Sequence, residues 1–268
     1  MTDIAMSMAA EVTPNPRRGG RIDAIDVSRH AGAWQILQKL SLTVKPGELV
    51  AIAGGSGAGK TTLLETLAGL QPPSAGQVWH DGIIRGARAS ADARIGYVPQ
   101  DDIIHLEMPL RRTLRYAARL RMPAGTSTVE AARVVEETMR DLDLADRADV
   151  PVRSLSGGQR KRASIAVELL TRPSLFFLDE PTSGLDPSTA ADVMRLLRTL
   201  SRRGVTVVLT THETAGIDKC DRVIFLARDG HLAFSGSPAE ARSYFGVRDL
   251  ADVYERLATD ATPEVWTK

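Results

Sequence analysis

Short apolar runs bounded by turn residues alternate with longer amphipathic segments along this chain. Near the N-terminus the pattern predicts strands at residues 22–27, 36–44 and 49–52 and then a helix at 61–70. Towards the C-terminus the predicted elements are a strand at 175–178, a helix at 187–201 and strands at 205–210 and 223–227. Such alternation is typical of an α/β domain built on a parallel sheet.

The middle of the chain is helical instead. A short strand at 95–98 precedes two segments of helical periodicity, at residues 109–122 and 128–142. The second segment carries one apolar stripe at spacings of three and four, formed by Ala132, Val135, Met139 and Leu142. We therefore expect a helical subdomain at about residues 101–172, inserted into the α/β domain. Residues 1–20 show no sustained periodicity, and we expect a flexible leader there.

Composition narrows the function classes. The 268 residues are 43% hydrophobic, enough for one large α/β domain or one domain with a sizeable insertion. Lys plus Arg number 34 against 33 for Asp plus Glu, and no basic block stands out, so nucleic acid is not an expected partner. Cys220 is the only cysteine, which excludes an internal disulfide or a thiolate metal cluster.

A glycine-rich loop follows the apolar strand at 49–52 and opens the next helix. It consists of Gly54, Gly55, Ser56, Gly57, Ala58, Gly59, Lys60 and Thr61, with Thr62 directly after it. Glycines let the backbone bend around phosphate oxygens, and the positive end of the following helix attracts them. We expect Lys60 to reach the β and γ phosphates and Thr61 to ligate magnesium.

An acidic pair ends the apolar strand at 175–178, where open α/β sheets bind their ligands. Asp179 is expected to hold magnesium through water, and Glu180 to orient or deprotonate the attacking water. His212 follows the strand at 205–210, a position from which it can touch a γ phosphate. Gln100 follows the strand at 95–98 and begins the helical insertion, so it can report phosphate occupancy to that subdomain.

A second helix start can also bind an anion. Ser156, Gly157, Gly158 and Gln159 lead into a helix predicted at residues 159–170, with free N–H groups and a serine hydroxyl. Taken alone, these residues are as compatible with a mere helix cap and flexible hinge as with an anion site. Together with the phosphate loop, they give one chain two anion sites, and they predict ATP held between two copies.

These motifs resemble those of the nucleotide-binding domain of an ABC transporter, over about residues 21–246. The resemblance implies an α/β P-loop NTPase (RecA-like) core with an antiparallel β subdomain and an inserted α-helical signature subdomain. Residues 54–61 correspond to the Walker A loop, 155–159 to the signature, 175–179 to Walker B and 183–186 to the D-loop, which contributes Asp186. Glu180 corresponds to the catalytic glutamate, and His212 to the switch histidine. Gln100 corresponds to the glutamine of the Q-loop and is an expected magnesium ligand.

The residues that make up these motifs resemble most those of the G subfamily and its bacterial relatives. Among these relatives are actinobacterial half-transporters, some of which are fused to forkhead-associated domains. The resemblance implies ATP and Mg²⁺ as cofactors, a head-to-tail homodimer, and a transmembrane domain as partner, fused or separate. The resemblance also places the chain at the cytoplasmic face of the membrane, with export as the expected direction and residues 247–268 as a connector to the membrane domain.

Neither His30 nor Trp34 matches the usual adenine-stacking position of the family. A soluble ABC ATPase for cluster assembly or DNA repair, and a nucleotide sensor without turnover, are the alternatives.

Overall fold

Two sheets organise the chain in the computed structural model, which describes residues 19–85, 94–101, 104–214 and 216–259. The strands are β1 (Ile22–Ala31), β2 (Trp34–Val44), β3 (Leu49–Gly54), β4 (Ala75–His80), β5 (Ile83–Ile84), β6 (Ile95–Val98), β7 (Leu175–Leu178), β8 (Thr206–Thr211), β9 (Arg222–Leu226) and β10 (Leu232–Gly236). The four-stranded sheet has the order β2-β1-β4-β5 and is antiparallel. The six-stranded sheet has the order β10-β9-β3-β8-β7-β6 and is parallel except for β10.

The helices are α1 (Lys60–Ala68), α2 (Leu110–Arg121), α3 (Thr128–Asp141), α4 (Gly157–Leu169), α5 (Pro187–Arg202), α6 (Pro238–Phe245) and α7 (Ala251–Thr259). Three of them, α2 to α4, lie between β6 and β7 in the chain, where the sequence predicts helices. No helix within the described ranges has the length and apolar content needed to cross a bilayer.

The two faces of the parallel sheet face two different apolar cores. Phe176 and Phe177 are neighbours in β7, are fully buried, and point to opposite faces, as successive strand residues do. Phe176 belongs to the core shared with α2 to α5, whereas Phe177 belongs to the core shared with α1 and the antiparallel sheet. Burial on both faces explains why β7 reads as an uninterrupted apolar run.

The sheet order sets the position of the functional residues. In the six-stranded sheet, β8 is hydrogen-bonded to β3 on one side and to β7 on the other, in parallel. The carboxyl ends of these three strands therefore meet at one edge. The phosphate loop follows β3, the acidic pair follows β7, and His212 follows β8.

The predicted α/β class with a parallel sheet, an antiparallel sheet and inserted helices is confirmed. Strands β6 and β7 have the predicted bounds, and most other elements differ by a few residues. The predicted leader falls largely outside the described residues, and so does the end of the predicted connector, whose described part contains α7. Sequence reasoning missed β4, β5, β10 and α6. Strand β5 has only two residues, both exposed, and the first three residues of β4 are exposed.

Candidate functional site

The phosphate loop connects β3 to α1. Gly57 has φ 77° and Gly59 has φ 91°, in the left-handed region that favours glycine. A Cβ at Gly59 would also lie 3.1 Å from the carbonyl oxygen of Ile36 in β2. Glycine is thus needed at position 59 for backbone conformation and for close packing under the antiparallel sheet.

The side chain of Lys60 folds back over this loop. Its Nζ donates hydrogen bonds to the carbonyl oxygens of Gly54 and Gly55, both at 3.0 Å. Burial lowers the pKa of Lys60, and the nearby carboxylates of Glu180 and Asp179 oppose that shift. The loop therefore holds a buried ammonium group next to the two acids that follow β7.

A hydroxyl and carboxylate cluster lies at the mouth of the loop. Thr61 Oγ1 donates to Asp179 Oδ1 at 3.1 Å, and the hydroxyl of Thr210 donates to the same oxygen. Thr210 in turn accepts a hydrogen bond from the backbone N–H of Glu180 at 2.8 Å. One fully buried threonine in β8 thus contacts both the carboxylate of Asp179 and the backbone of Glu180.

Thr210 is a site residue that sequence reasoning missed. The available signal was a threonine within the apolar strand predicted at 205–210, because a hydroxyl in a buried strand needs a hydrogen-bond partner. The partner was not apparent from the sequence, since β7 and β8 pair only in the folded sheet.

Glu180 and His212 are brought together at the same edge. Glu180 Oε2 lies 3.1 Å from His212 Nδ1, and the Glu180 side chain is mostly buried while that of His212 is exposed. Glu180 has φ 42°, a left-handed conformation that is uncommon for a residue with a side chain. Such strained positions concentrate at functional sites, where the surrounding contacts hold them.

The segment predicted to bind a second anion starts α4, away from this cluster in the chain. Ser156 caps the helix: its Oγ accepts from the N–H of Gln159 at 3.3 Å, and Gln159 Oε1 accepts from the N–H of Ser156 at 3.0 Å. This reciprocal capping box fixes the helix start. Ser156 and Gln159 therefore bind each other, while Gly157 is exposed.

The start of α5 packs directly on the start of α4. A Cβ at Gly158 would lie 2.2 Å from Cγ2 of Thr189. Asp186 caps α5 by accepting the N–H groups of Ser188 and Thr189, both at 3.1 Å, and the hydroxyls of both residues. These hydrogen bonds hold the pKa of Asp186 well below its ordinary value.

Gln100 lies at the same edge of the sheet as the acids, because β6 pairs in parallel with β7 and the N–H of Asp179 donates to the carbonyl oxygen of Val98 at 2.9 Å. Gln100 is exposed just after β6, and its backbone carbonyl accepts a hydrogen bond from Lys161 Nζ at 3.0 Å. Trp34 is 80% exposed at the start of β2, and His30 is exposed at the end of β1. Neither aromatic ring is among the contacts that join the phosphate loop to the acids.

Comparison with known proteins decides which family combines these elements. A family model described as "ABC transporter" matches residues 37–183, more than half of the chain. The chain belongs to the ABC transporter family. The matched range of this ABC domain includes the phosphate loop, the α4 start and the acidic pair.

Several curated relatives of this ABC domain are long transporters. It is 44% identical to the ABC transporter ATP-binding/permease protein Rv1747 of Mycobacterium tuberculosis, with 85% of this chain and 27% of that protein covered. It is 41% identical to ABC transporter G family member 21 of Arabidopsis thaliana, with 79% of this chain and 32% of that protein covered. The chain thus spans a third or less of these relatives, and its likeness to G-family members is confirmed.

Solved structures share the architecture. The ATP-binding cassette MJ0796, in a dimeric post-hydrolysis state bound to ADP and phosphate, matches with TM-score 0.72 and 28% identity over 81% of this chain and 98% of that one. CbiO1 of Clostridium perfringens, part of the transporter complex cbiONQ, matches in fold with TM-score 0.76 and 24% identity, over 91% of this chain and 96% of that one. This ABC domain therefore shares its fold with both proteins over most of its length.

Proposed function

We propose that the chain is the nucleotide-binding domain of a G-type ABC transporter and that it hydrolyses ATP in a head-to-tail dimer. The observation that carries the proposal is that one chain contains two separate glycine-rich helix starts, each suited to an anion. One lies at the phosphate loop beside the acids, and the other lies at Ser156 on α4. The dimeric state of the cassette MJ0796 supports the same arrangement for this chain.

In the proposed dimer each ATP is held by two copies. Lys60 and His212 of one copy contact the γ phosphate, and Ser156, Gly157 and Gly158 of the second copy complete the site. The other residues assigned to nucleotide binding are Gly54, Gly55, Ser56, Gly57, Ala58, Gly59, Thr61, Thr62, Gln159 and Asp186. Asp186, which caps α5, would act from the side of the second copy.

Magnesium suits the oxygen atoms beside the phosphate loop. Thr61 Oγ1 and Asp179 Oδ1 lie 3.1 Å apart, and magnesium in nucleotide sites is usually held by one or two protein oxygens together with phosphates and waters. We assign these two residues and Gln100 to the metal. When bound, the ion neutralises charge on the phosphates. The described residues contain no group of three or more His, Cys, Asp or Glu side chains suited to a metal.

Glu180 is the proposed catalytic group. Its carboxylate is placed by the bond between its N–H and Thr210 and by its contact with His212. From there it can accept a proton from, or orient, a water that attacks the γ phosphate. The loss of the γ-phosphate contacts then lets the dimer reopen, which resets the cycle.

The transport role follows from the relatives. We assign residues 21–246 to the ATPase domain, with residues 101–172 as its helical subdomain and residues 247–268 as a connector to a membrane domain, fused or separate. The chain would work at the cytoplasmic face of the membrane, with export as the direction. Recovery of the full natural protein in the membrane fraction would support this role. Copurification with a soluble complex or DNA would favour a soluble ABC ATPase.

Mixing two inactive variants tests the shared site. Glu180→Gln inactivates the site at the chain's own phosphate loop. Ser156→Arg inactivates the segment with which the chain completes the nucleotide site of the other copy. Each variant alone should release little phosphate. An equal mixture should recover up to about a quarter of the wild-type rate, because half of the dimers are mixed and each mixed dimer has one intact site.

A matched mixture serves as the control. Lys60→Ala and Glu180→Gln alter the same half of the site, so no mixed dimer contains an intact site and the mixture should stay inactive. Equal recovery in both mixtures, or hydrolysis by monomers at the wild-type rate, would contradict the shared site.

A further inference from the structure

The side chain of Lys161 is buried in a place where the proposed mechanism does not use it. Lys161 lies in α4, five residues after Ser156, and is only 6% exposed. Its Nζ donates a hydrogen bond to the backbone carbonyl of Gln100 at 3.0 Å. A buried ammonium is costly unless it is hydrogen-bonded, so this contact strongly favours one position of the Gln100 backbone.

Glu168 makes the matching contact at the other end of α4. It is 4% exposed, and its Oε2 accepts a hydrogen bond from the backbone N–H of Tyr97 at 3.2 Å. The guanidinium of Arg121, at the end of α2, binds both carboxylate oxygens of Glu168. The buried carboxylate is therefore charge-paired within the helical segment while it holds the backbone of β6.

The two contacts fit each other in length and direction. Lys161 and Glu168 are seven residues apart, about 10.5 Å along a helix at 1.5 Å per residue. Tyr97 lies in β6 and Gln100 lies two residues past its end, and the three-residue step between them spans at most about 10 Å. Lys161, nearer the start of α4, binds Gln100, and Glu168, nearer its end, binds Tyr97. Helix α4 therefore runs antiparallel to β6 and is hydrogen-bonded near both ends to β6 and the residues that follow it.

We propose that Lys161 and Glu168 are positioning residues that fasten α4 to the strand leading into Gln100, so that Gln100 and Ser156 move together. The inference rests on the proposed roles of Gln100 and of the dimer. A shift of Gln100 towards or away from a γ phosphate is then passed along the rigid helix to Ser156. The residue that senses one copy's phosphate would thereby set the position of the segment offered to the other copy's nucleotide.

Lys161→Met tests this link, since it keeps the length of the side chain and removes the ammonium. In a Glu180→Gln background, analytical ultracentrifugation measures the dimer formed with MgATP, and a fluorescent ATP analogue measures nucleotide affinity. We expect dimerisation to weaken about tenfold or more, as for loss of a hydrogen bond to a charged group. Nucleotide affinity should stay within about twofold, because the phosphate loop is untouched.

Three further variants separate positioning from general damage. Lys161→Arg keeps a charged donor and should restore most of the dimerisation. Lys219→Met removes a charge from an exposed lysine and should have no effect. In a Gln100→Ala background, Lys161→Met should add little, because the side chain that it positions is gone. Wild-type dimerisation of Lys161→Met, or effects that add fully to those of Gln100→Ala, would overturn the proposal.

Hydrogen–deuterium exchange gives a reading that does not depend on dimer formation. Without nucleotide, Lys161→Met should speed exchange in the peptide covering residues 97–101 about tenfold and leave β7 unchanged. Unchanged protection of residues 97–101 would refute the attachment itself. If exchange responds while no variant, including Glu180→Gln alone, dimerises with MgATP, the proposed dimer is wrong and the attachment stands.

Discussion

Glu180 and His212 are in contact across two neighbouring strands, with Glu180 Oε2 3.1 Å from His212 Nδ1. Glu180 follows β7, His212 follows β8, and the parallel pairing of these strands puts both side chains at one edge. A carboxylate that also lies beside the phosphate loop is well placed to act on a water at the terminal phosphate.

Replacement of Glu180 by Gln should separate binding from hydrolysis. The amide has nearly the same shape but is a poor proton acceptor, so turnover should fall by about 10² or more. ATP binding should be retained, and the dimer should accumulate with MgATP. Phosphate release and light scattering measure the two effects. Hydrolysis at the wild-type rate would show that Glu180 has a different role.

Lys60→Ala should weaken nucleotide binding itself. A hydrogen bond to a charged group contributes about 1.5–3 kcal/mol, so the dissociation constant for ATP should rise about tenfold or more. Lys45→Ala, in an exposed turn, is the control for loss of a lysine and should bind ATP normally. Unchanged affinity of the Lys60 variant would count against the phosphate-loop assignment.

Thr210→Val should disturb both acids without altering the size of the side chain. Asp179 would lose a hydrogen-bond donor and the N–H of Glu180 its acceptor, in a fully buried place. We expect a loss of about 1–3 kcal/mol in the free energy of unfolding, and a lower rate of hydrolysis. Thr210→Ser keeps the hydroxyl and should retain most of the activity. Denaturant titration and phosphate release compare the pair, and equal behaviour of both variants would argue against the hydroxyl.

The cap at Asp186 should make the start of α5 sensitive to acid. Hydrogen bonds to the hydroxyls and N–H groups of Ser188 and Thr189 lower the pKa of Asp186 below its ordinary 3.8. The carboxylate thus contributes stability above that value, and the contribution is lost as pH falls through the lower pKa of the folded state.

Asp186→Asn tests the titration, because asparagine is also a good cap but does not ionise. Wild type should be more stable than the variant near pH 7, and the difference should shrink as pH falls below about 3.8. Urea titrations at several pH values measure it. A difference that does not change with pH would mean that the charge of Asp186 contributes nothing to the cap.

The sequence predicted those parts of the candidate site that consist of consecutive residues. The loop around Lys60, the acids after β7 and the start of α4 are each built from consecutive residues, so spacing and residue type predicted them. Thr210, Thr189 and Lys161 act through residues far away in the chain, and no pattern indicated which partner each would meet. The same limit explains why β4 was missed. It pairs with β1, and its first three residues are exposed, so it lacks the alternation of apolar and polar residues that marks a strand.

The two glycines at the start of α4 differ in how much space surrounds them. A methyl group at 158 would collide with Thr189, whereas one at 157 would meet only Leu185, at 3.5 Å, an ordinary contact distance. Loss of function after Gly158→Ala would mix displacement of α5 with any effect on a bound anion. Gly157→Ala leaves the interior of its own subunit undisturbed, so a defect there would report on what approaches from outside.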